Sequence, residues 1–280
     1  MTTRRDFFKT SIVLSALSVI PGMATESKQH ETLKFIHVTD SHMDLSNNDS
    51  VEAVKLMSAF INENYKDLDY VLFGGDNFNN NAKGNSDAIK FKEIIDTMHC
   101  PSYVVRGNKE SFAKPNDGID LNDFQEIFLK DKDLLVQGKD WKLEKKGYVI
   151  LGLDSCVEGG NNGLYTKETL TFAKNALKSG KPTVILNHHP YTNHWGGTEE
   201  ADIHKYVLNN TKEFQAEILS KENVIMTLSG HKHIDSVKEL NGTKIVATRG
   251  FKRPLDANMY PMRYVEITDG KISEKLIYTS

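Results

Sequence analysis

Short apolar runs, each ending at polar residues, recur along the first half of the chain. The runs at 33–39, 70–74 and 102–106 are rich in β-branched and aromatic residues, and they predict buried strands. Two longer stretches, 51–65 and 88–98, repeat apolar residues every three to four positions and predict amphipathic helices. This strand–helix–strand rhythm favours an α/β sheet.

A polar motif marks the start of the first predicted helix. Asp49 and Glu52 stand three positions apart just before the apolar face, a spacing that resembles a capping box. We therefore expect the helix to begin at this motif.

The second half of the chain predicts further strands and two hairpins. Apolar runs at 148–154, 183–188 and 224–229 predict strands, and 166–177 predicts a helix. Asn241 and Asp269 are each followed by glycine, which is a strong signal for a hairpin turn. The sequence contains no internal repeat and no low-complexity linker, so 25–280 is predicted to form a single domain.

Composition and charge narrow the classes of function. The 280 residues are 39% hydrophobic and 26% charged, which is typical of a globular protein. A net charge of -3 gives no general attraction to nucleic acid or to anionic membranes, so no nucleic-acid-binding surface is predicted.

Residues 1–24 differ from the rest of the sequence. Arg4 and Arg5 precede a weakly apolar stretch at 10–20, which is about half the roughly 20 residues of a spanning helix. Small residues follow at 22–24. This order resembles a bacterial twin-arginine (Tat) signal peptide and predicts the Tat export machinery as a partner, a periplasmic or secreted location and no transmembrane segment. An uncleaved amphipathic anchor is the alternative.

The two cysteines, Cys100 and Cys156, do not stand in a metal-ligand spacing. Pairing would require their Cα atoms to lie within about 7 Å, which the sequence alone does not establish. We expect two buried free thiols.

Polar residues of restricted types follow the predicted strands. Each lies just beyond a strand end: Asp40, His42, Asp76, Asn108, His188, His231 and His233. Because ligands bind at the carboxyl edge of α/β sheets, we expect these side chains to converge there.

The residue types and their spacing indicate a metal site. Asp, His and Asn without cysteine favour Zn, Mn or Fe. In Asp40-x-His42 and His231-x-His233, an extended backbone would direct both side chains to one side, because strands repeat every two residues. Seven side chains are too many for one zinc ion, so two ions sharing a carboxylate are expected.

The ordered set Asp-x-His, Gly-Asp, Gly-Asn, His-His-Pro and Gly-His-x-His resembles the calcineurin-like metallophosphoesterase family. The resemblance implies a four-layer α/β/β/α sandwich of two mixed sheets flanked by helices. It also implies a hydrolase of small-molecule phosphoesters with two divalent ions, Fe, Mn or Zn, as cofactors. A hydroxide between the ions would attack a phosphodiester or phosphomonoester.

The family resemblance also assigns the ligands. One ion would be bound by Asp40, His42 and His233, and the other by Asn108, His188 and His231, with Asp76 bridging both.

The sequence departs from the family at its acid–base pair. Many members have a histidine after the asparagine and an aspartate three positions after the bridging one. Here these positions hold Lys109 and Asn79. Either Lys109 stabilises charge electrostatically, or His194 supplies the proton, or the protein is a catalytically weak or inactive metal- or phosphate-binding protein. We favour an active enzyme because all the ligand types remain.

Other residues receive weaker assignments. Asn77, Trp195 and Arg249 are predicted substrate contacts. The alternatives are that Asn77 belongs to a flexible loop, that Trp195 is a buried residue anchoring its loop, and that Arg249 forms a surface ion pair. His37 lies inside the first strand and is predicted to be a core residue, whereas His189 is predicted to orient a neighbouring ligand.

Overall fold

The computed structural model describes residues 30–111, 119–130, 132–191, 208–252, 254 and 259–279. The strands are β1 (Leu33–Val38), β2 (Tyr70–Phe73), β3 (Ser102–Val104), β4 (Leu135–Gln137), β5 (Asp140–Lys145), β6 (Tyr148–Gly152), β7 (Thr183–Leu186), β8 (Val224–Ser229), β9 (Ser236–Leu240), β10 (Thr243–Ala247), β11 (Pro261–Thr268) and β12 (Lys271–Tyr278). The α-helices are α1 (Asn48–Asn64), α2 (Ser86–Ile95), α3 (Asn108–Ser111), α4 (Leu121–Phe128), α5 (Lys167–Leu177) and α6 (Thr211–Glu217), and a 3₁₀ turn covers Lys83–Asn85.

The strands form two mixed sheets. The five-stranded sheet has the order β12-β11-β1-β2-β3, and the seven-stranded sheet has the order β4-β5-β6-β7-β8-β10-β9. Within the first sheet β1, β2 and β3 are parallel. Within the second sheet β6, β7, β8 and β10 are parallel. The remaining neighbours pair antiparallel, including the hairpins turning at Asn241 and Asp269 that the sequence predicts.

Alternating side chains pack the sheets in layers. On β6, Tyr148 and Ile150 enter the core shared with β1 and β2, whereas Val149 and Leu151 pack on the other side with residues of α5. The indole N–H of Trp141 on β5 donates to the Val104 carbonyl of β3 at 2.9 Å and joins the two sheets. The predicted α/β/β/α arrangement of two mixed sheets flanked by helices is confirmed.

Two local details differ from the sequence prediction. Helix α1 begins at Asn48 after an N-cap at Asn47 whose side chain makes no capping bond, so the capping box at Asp49 is wrong. The β4–β5 hairpin is not predicted, because β4 is only three residues long and its two apolar residues, Leu135 and Val136, are too short a run to predict a strand.

Within the described residues, no helix is both long enough and apolar enough to cross a membrane. Cys100 and Cys156 are both buried and free, as predicted.

Candidate metal centre

The first donor cluster consists of Asp40, His42 and His233. The Nε2 atoms of the two histidines lie 3.1 Å apart. His233 Nε2 is 3.2 Å from Asp40 Oδ1, and His42 Nε2 is 3.9 Å from the same oxygen. Asp40 follows β1 and His233 follows β8, so this cluster draws one ligand-bearing segment from each sheet.

The second donor cluster consists of Asn108, His188 and His231. Asn108 Oδ1 lies 3.2 Å from His188 Nε2 and 3.0 Å from His231 Nδ1. The two histidine nitrogens are 3.1 Å apart. Asn108 follows β3 of the five-stranded sheet, whereas His188 and His231 follow β7 and β8, which are parallel neighbours in the seven-stranded sheet. This cluster therefore also draws its residues from both sheets.

Asp76 lies between the two donor clusters. Its Oδ2 is 3.8 Å from His42 Nε2 of the first cluster, and its Oδ1 is 3.5 Å from His188 Nε2 of the second. One carboxylate therefore faces both clusters with different oxygens, which is the geometry of a bridging ligand.

The chemistry of these donors fits cations. The side chains of Asp40, His42, Asp76 and His188 are almost completely buried. Their carboxylate oxygens and imidazole nitrogens converge, and this set of atoms contains more hydrogen-bond acceptors than donors. Burial lowers the pKa of His42 to about 4 and that of His231 to about 3, so both imidazoles are neutral and able to ligate near pH 7. Groups such as Asp40, His42 and His233 could hold a metal ion.

The carboxylates differ in their titration. Burial acts to raise the pKa of Asp40, but the hydrogen bond from His233 and the His188 charge outweigh it and hold that pKa low. Burial and the Asp40 charge raise the pKa of Asp76. A cation between the donor clusters would remove the repulsion between the two carboxylates.

The backbone at the site adopts a left-handed conformation. Asp40, His42, Asp76, His231 and His233 all have φ between 47° and 68°. The sequence prediction that an extended backbone aims the Asp-x-His and His-x-His pairs is therefore wrong. Non-glycine residues in this region are strained and cluster at functional sites, so their concentration here is an independent mark of function.

Two glycines permit the close approach of the ligand segments. A Cβ on Gly107 would lie 2.2 Å from the Asp76 backbone nitrogen, and one on Gly230 would lie 2.4 Å from Asp40 Oδ2. Any side chain at either position would displace a candidate ligand.

Glu110 is an organising residue that sequence reasoning missed. Its buried carboxylate accepts backbone N–H bonds from Gly107 at 2.7 Å, Asp76 at 2.9 Å and Asn77 at 2.6 Å. Burial and the Asp76 charge raise the pKa of Glu110 to about 7, although the N–H bonds oppose this. The side chain thus ties the Asp76 loop to the segment bearing Asn108. The signal in the sequence that could have identified Glu110 was its position as the single acidic residue just after Gly107-Asn108.

Asn79 contacts a candidate ligand. Its Oδ1 lies 3.1 Å from His42 Nδ1, and its Nδ2 donates to Asp44 Oδ2 at 3.0 Å. The amide orients the His42 ring and is itself held by Asp44. Asn79 therefore supports the first donor cluster instead of pairing with Lys109.

Lys109 lies beside the bridging carboxylate. Its backbone N–H donates to Asp76 Oδ1 at 2.7 Å, and its charge opposes the rise in the Asp76 pKa. The half-buried side chain is therefore near the place where phosphate charge would collect.

His189 is held away from the ligand role. Its Nδ1 bonds Ser155 Oγ at 2.8 Å and its Nε2 bonds the Asn161 carbonyl at 3.1 Å. Asn161 also accepts from the Asn108 amide at 3.4 Å, which directs Asn108 Oδ1 toward the histidines. The His189 ring lies tilted against that of His231, with centroids 4.6 Å apart, and the two could form a donor group with His188. Because both ring nitrogens of His189 are bonded to other residues, it acts here as a supporting residue.

The remaining predicted residues have different fates. His37 is a buried core residue whose Nδ1 lies 2.8 Å from Thr248 Oγ1. Asn77 is completely buried and donates to the Val105 carbonyl, so its predicted substrate contact is corrected to a structural one. Arg249 is half-buried, and its Nε has no hydrogen-bond partner in the described part of the chain. His194 and Trp195 lie outside the described residues.

The fold and the paired donor clusters define a metallophosphoesterase. The model of the calcineurin-like phosphoesterase family matches residues 33–235. The chain therefore belongs to this family and is a phosphoric ester hydrolase.

Two curated relatives share about a quarter of their aligned residues with this chain. A 3',5'-cyclic adenosine monophosphate phosphodiesterase, CpdA, of Haemophilus influenzae is 25% identical over 77% of this chain and 75% of its own length. A probable cyclic nucleotide phosphodiesterase of Fibrobacter succinogenes is 23% identical over 82% of this chain and 84% of its own length.

Solved structures share the fold. A dimetal phosphatase from Danio rerio aligns with a TM-score of 0.61 and 13% identity, over 89% of this chain and 99% of that one. The purple acid phosphatase PPD1 from yellow lupin aligns with a TM-score of 0.54 and 15% identity, over 90% of this chain and 52% of that one.

Metal affinity is expected to fall as the pH falls below about 7. The buried carboxyl of Asp76, with its pKa raised to about 7, must lose a proton to bind a cation, whereas His42 and His231 are already neutral. Competition with one proton lowers the logarithm of the association constant by about one per pH unit down to about pH 5. Manganese titrations across this range test it, and a pH-independent affinity would contradict it.

Proposed function

We propose that the protein is a binuclear metal-dependent phosphodiester hydrolase. The observation that carries the proposal is Asp76, whose two carboxylate oxygens face separate donor clusters. Two divalent ions bound there would activate water and offset the charge of a phosphoryl group in transfer.

The chain's own residues would supply positioning and charge. Asn79 and Glu110 hold the donor segments in place, and Lys109 presents a cation beside Asp76. Lys109 would stabilise charge on the phosphoryl group or the departing oxygen. His194 is the candidate for a separate group that would protonate the departing oxygen.

A cyclic or other nucleoside phosphodiester is the proposed substrate class. The names of the two relatives support it, and both align over at least three-quarters of their own length. Phosphomonoesters are the second choice of substrate class.

Residues 1–24 are proposed to be a Tat signal peptide that directs the protein to the periplasm. The twin arginines and the short apolar stretch support this. Cell fractionation of the full chain tests it, with Arg4→Lys and Arg5→Lys together as the comparison. Equal periplasmic yield from the double variant would contradict Tat export.

The hydrolase proposal is tested with purified full chain. We expect about two equivalents of metal by elemental analysis, and hydrolysis of a nucleoside 3',5'-cyclic phosphate that a chelator removes and Mn²⁺ restores. Bound metal without turnover of any diester or monoester would favour the alternative, a metal- or phosphate-binding protein. This alternative is supported by Asn79, which bonds His42 and does not form the acid–base pair found in many members of the family.

Lys109→Ala is expected to spare metal binding but to slow hydrolysis. Loss of a charge-stabilising or acid group costs roughly 10²–10⁴-fold, and the loss should grow with the basicity of the leaving group. Rates on diesters with phenolic and alkoxide leaving groups measure this. Lys83→Ala, on the 3₁₀ turn, is the matched surface control. Identical rates for wild type and Lys109→Ala on every ester would exclude the role.

A further inference from the structure

A cavity of about 220 Å³ opens beside the first donor cluster. His42 and Asn79 form its inner wall, so it begins at a candidate metal ligand. The volume is below the roughly 300 Å³ at which pockets for drug-sized ligands begin, so it suits one ring system.

The cavity walls are chemically mixed. Asn47 and Asp49, at the start of α1, provide exposed polar groups. On another side lie Lys252 and the half-buried ring of Tyr260. Tyr260 stacks on the fully buried Phe251, which also lines the cavity, with ring centroids 4.9 Å apart and planes at 22°, so one face of the Tyr260 ring is held by this contact.

The segment bearing Lys252 is fixed to the metal centre. The backbone N–H of Phe251 donates to the Thr39 carbonyl at 2.8 Å, and that of Lys252 donates to the Asp40 carbonyl at 2.9 Å. The exposed Lys252 side chain adds a positive charge that acts on His42. The backbone that carries Lys252, together with the Phe251 ring against which Tyr260 packs, thus has a fixed position relative to Asp40.

A wider cavity lies next to this one, along α1. A second cavity of about 570 Å³ shares Asp49, Ala53 and Tyr260 with the first, and is also lined by Glu52 and Lys55. Asp49, Ala53 and Tyr260 therefore separate or border both cavities, and the smaller one is the cavity that reaches a candidate metal ligand.

We infer that this cavity binds the base of a nucleoside phosphodiester. The base would stack on Tyr260, with Lys252 and Asn47 at its polar edge, because a flat heterocycle matches a supported aromatic ring bordered by donors and acceptors. The inference rests on the proposed function and names the part of the substrate that the cavity selects.

The test compares kcat/KM for a nucleoside 3',5'-cyclic phosphate with that for methyl 4-nitrophenyl phosphate, which lacks a base. Tyr260→Leu removes the stacking surface and is expected to lower the ratio of the two values about 10-fold, mainly through KM for the cyclic nucleotide. Asn47→Trp, which fills the cavity from an exposed position, is expected to lower the ratio at least as much.

Asn48→Trp is the matched control for the second variant. Asn48 is also exposed but does not line the cavity, so the ratio should stay at the wild-type value. Thermal melting checks that each variant folds, and Asn47→Trp keeps the test decisive if Tyr260→Leu is unstable.

The outcomes separate the inference from the proposed function. Hydrolysis of neither diester by the metal-loaded wild type would overturn both. Hydrolysis with a ratio that Tyr260→Leu and Asn47→Trp leave unchanged would overturn the cavity assignment alone. Turnover of the small diester without any turnover of cyclic nucleotides would overturn the nucleoside class.

Discussion

Asp76→Ala is expected to abolish hydrolysis and to remove metal from both donor clusters. The wild-type carboxylate faces His42 with one oxygen and His188 with the other. Losing it removes a ligand from each cluster. The transition state then loses several kcal/mol of stabilisation, which corresponds to a rate lower by roughly 10³–10⁵-fold.

The measurement is metal content together with kcat on a diester. Asp67→Ala is the matched control, because the Asp67 side chain is 67% exposed and pairs with Lys34 at the surface, away from the donor clusters. The control should keep wild-type metal content and rate. If Asp76→Ala retained two equivalents of metal, the bridging assignment would be wrong, and retained activity would remove the basis of the proposed chemistry.

The candidate ligands were predictable because local sequence and strand topology act together. A polar residue directly after an apolar run, such as Asp40 after β1 or His188 after β7, has its place fixed by the strand before it. Parallel pairing within each sheet then brings the strand ends to one edge of that sheet, whatever the length of the connections. The convergence of these side chains could therefore be predicted without any knowledge of the loops, whereas their assignment to two ions came from the family resemblance.

The residues that support the ligands were not predictable in the same way. Glu110 bonds backbone groups more than thirty positions earlier, and Asn79 bonds His42 across 37 positions. Asn161 reaches Asn108 across 53. Nothing in the local pattern of these residues reports such partners, because the partners meet only after the two sheets have assembled. Asn77 was misassigned for the same reason.

The backbone conformation at the ligands was also beyond the sequence. Asp and His in the Asp-x-His and His-x-His motifs ordinarily follow the extended geometry of the strands before them. Here all four of them, and Asp76 as well, turn left-handed, at a cost of about 1–3 kcal/mol each. The surrounding hydrogen bonds, such as that from the His231 N–H to Asp40 Oδ2 at 2.9 Å, hold this conformation.

Glu110→Gln is expected to weaken metal binding about 10–100-fold, although Glu110 belongs to neither donor cluster. The carboxylate accepts N–H bonds from Asp76, Asn77 and Gly107 with its two oxygens. An amide of the same size replaces one acceptor with donors, so at least one buried N–H loses its partner and faces another donor. Each such loss costs about 1–3 kcal/mol.

The free energy of unfolding of the metal-free protein is therefore expected to fall by roughly 2–4 kcal/mol. Urea denaturation measures this change, and manganese titration measures the change in affinity. Glu126→Gln, at an exposed site on α4 paired with Lys130, is the matched control and should change the unfolding free energy by less than about 0.5 kcal/mol. A destabilised Glu110→Gln variant with wild-type metal affinity would show that Glu110 supports the fold alone. Loss of affinity beyond that of the control would show that one buried carboxylate sets the distance between the Asp76 loop and Asn108, and with it the spacing of the two donor clusters.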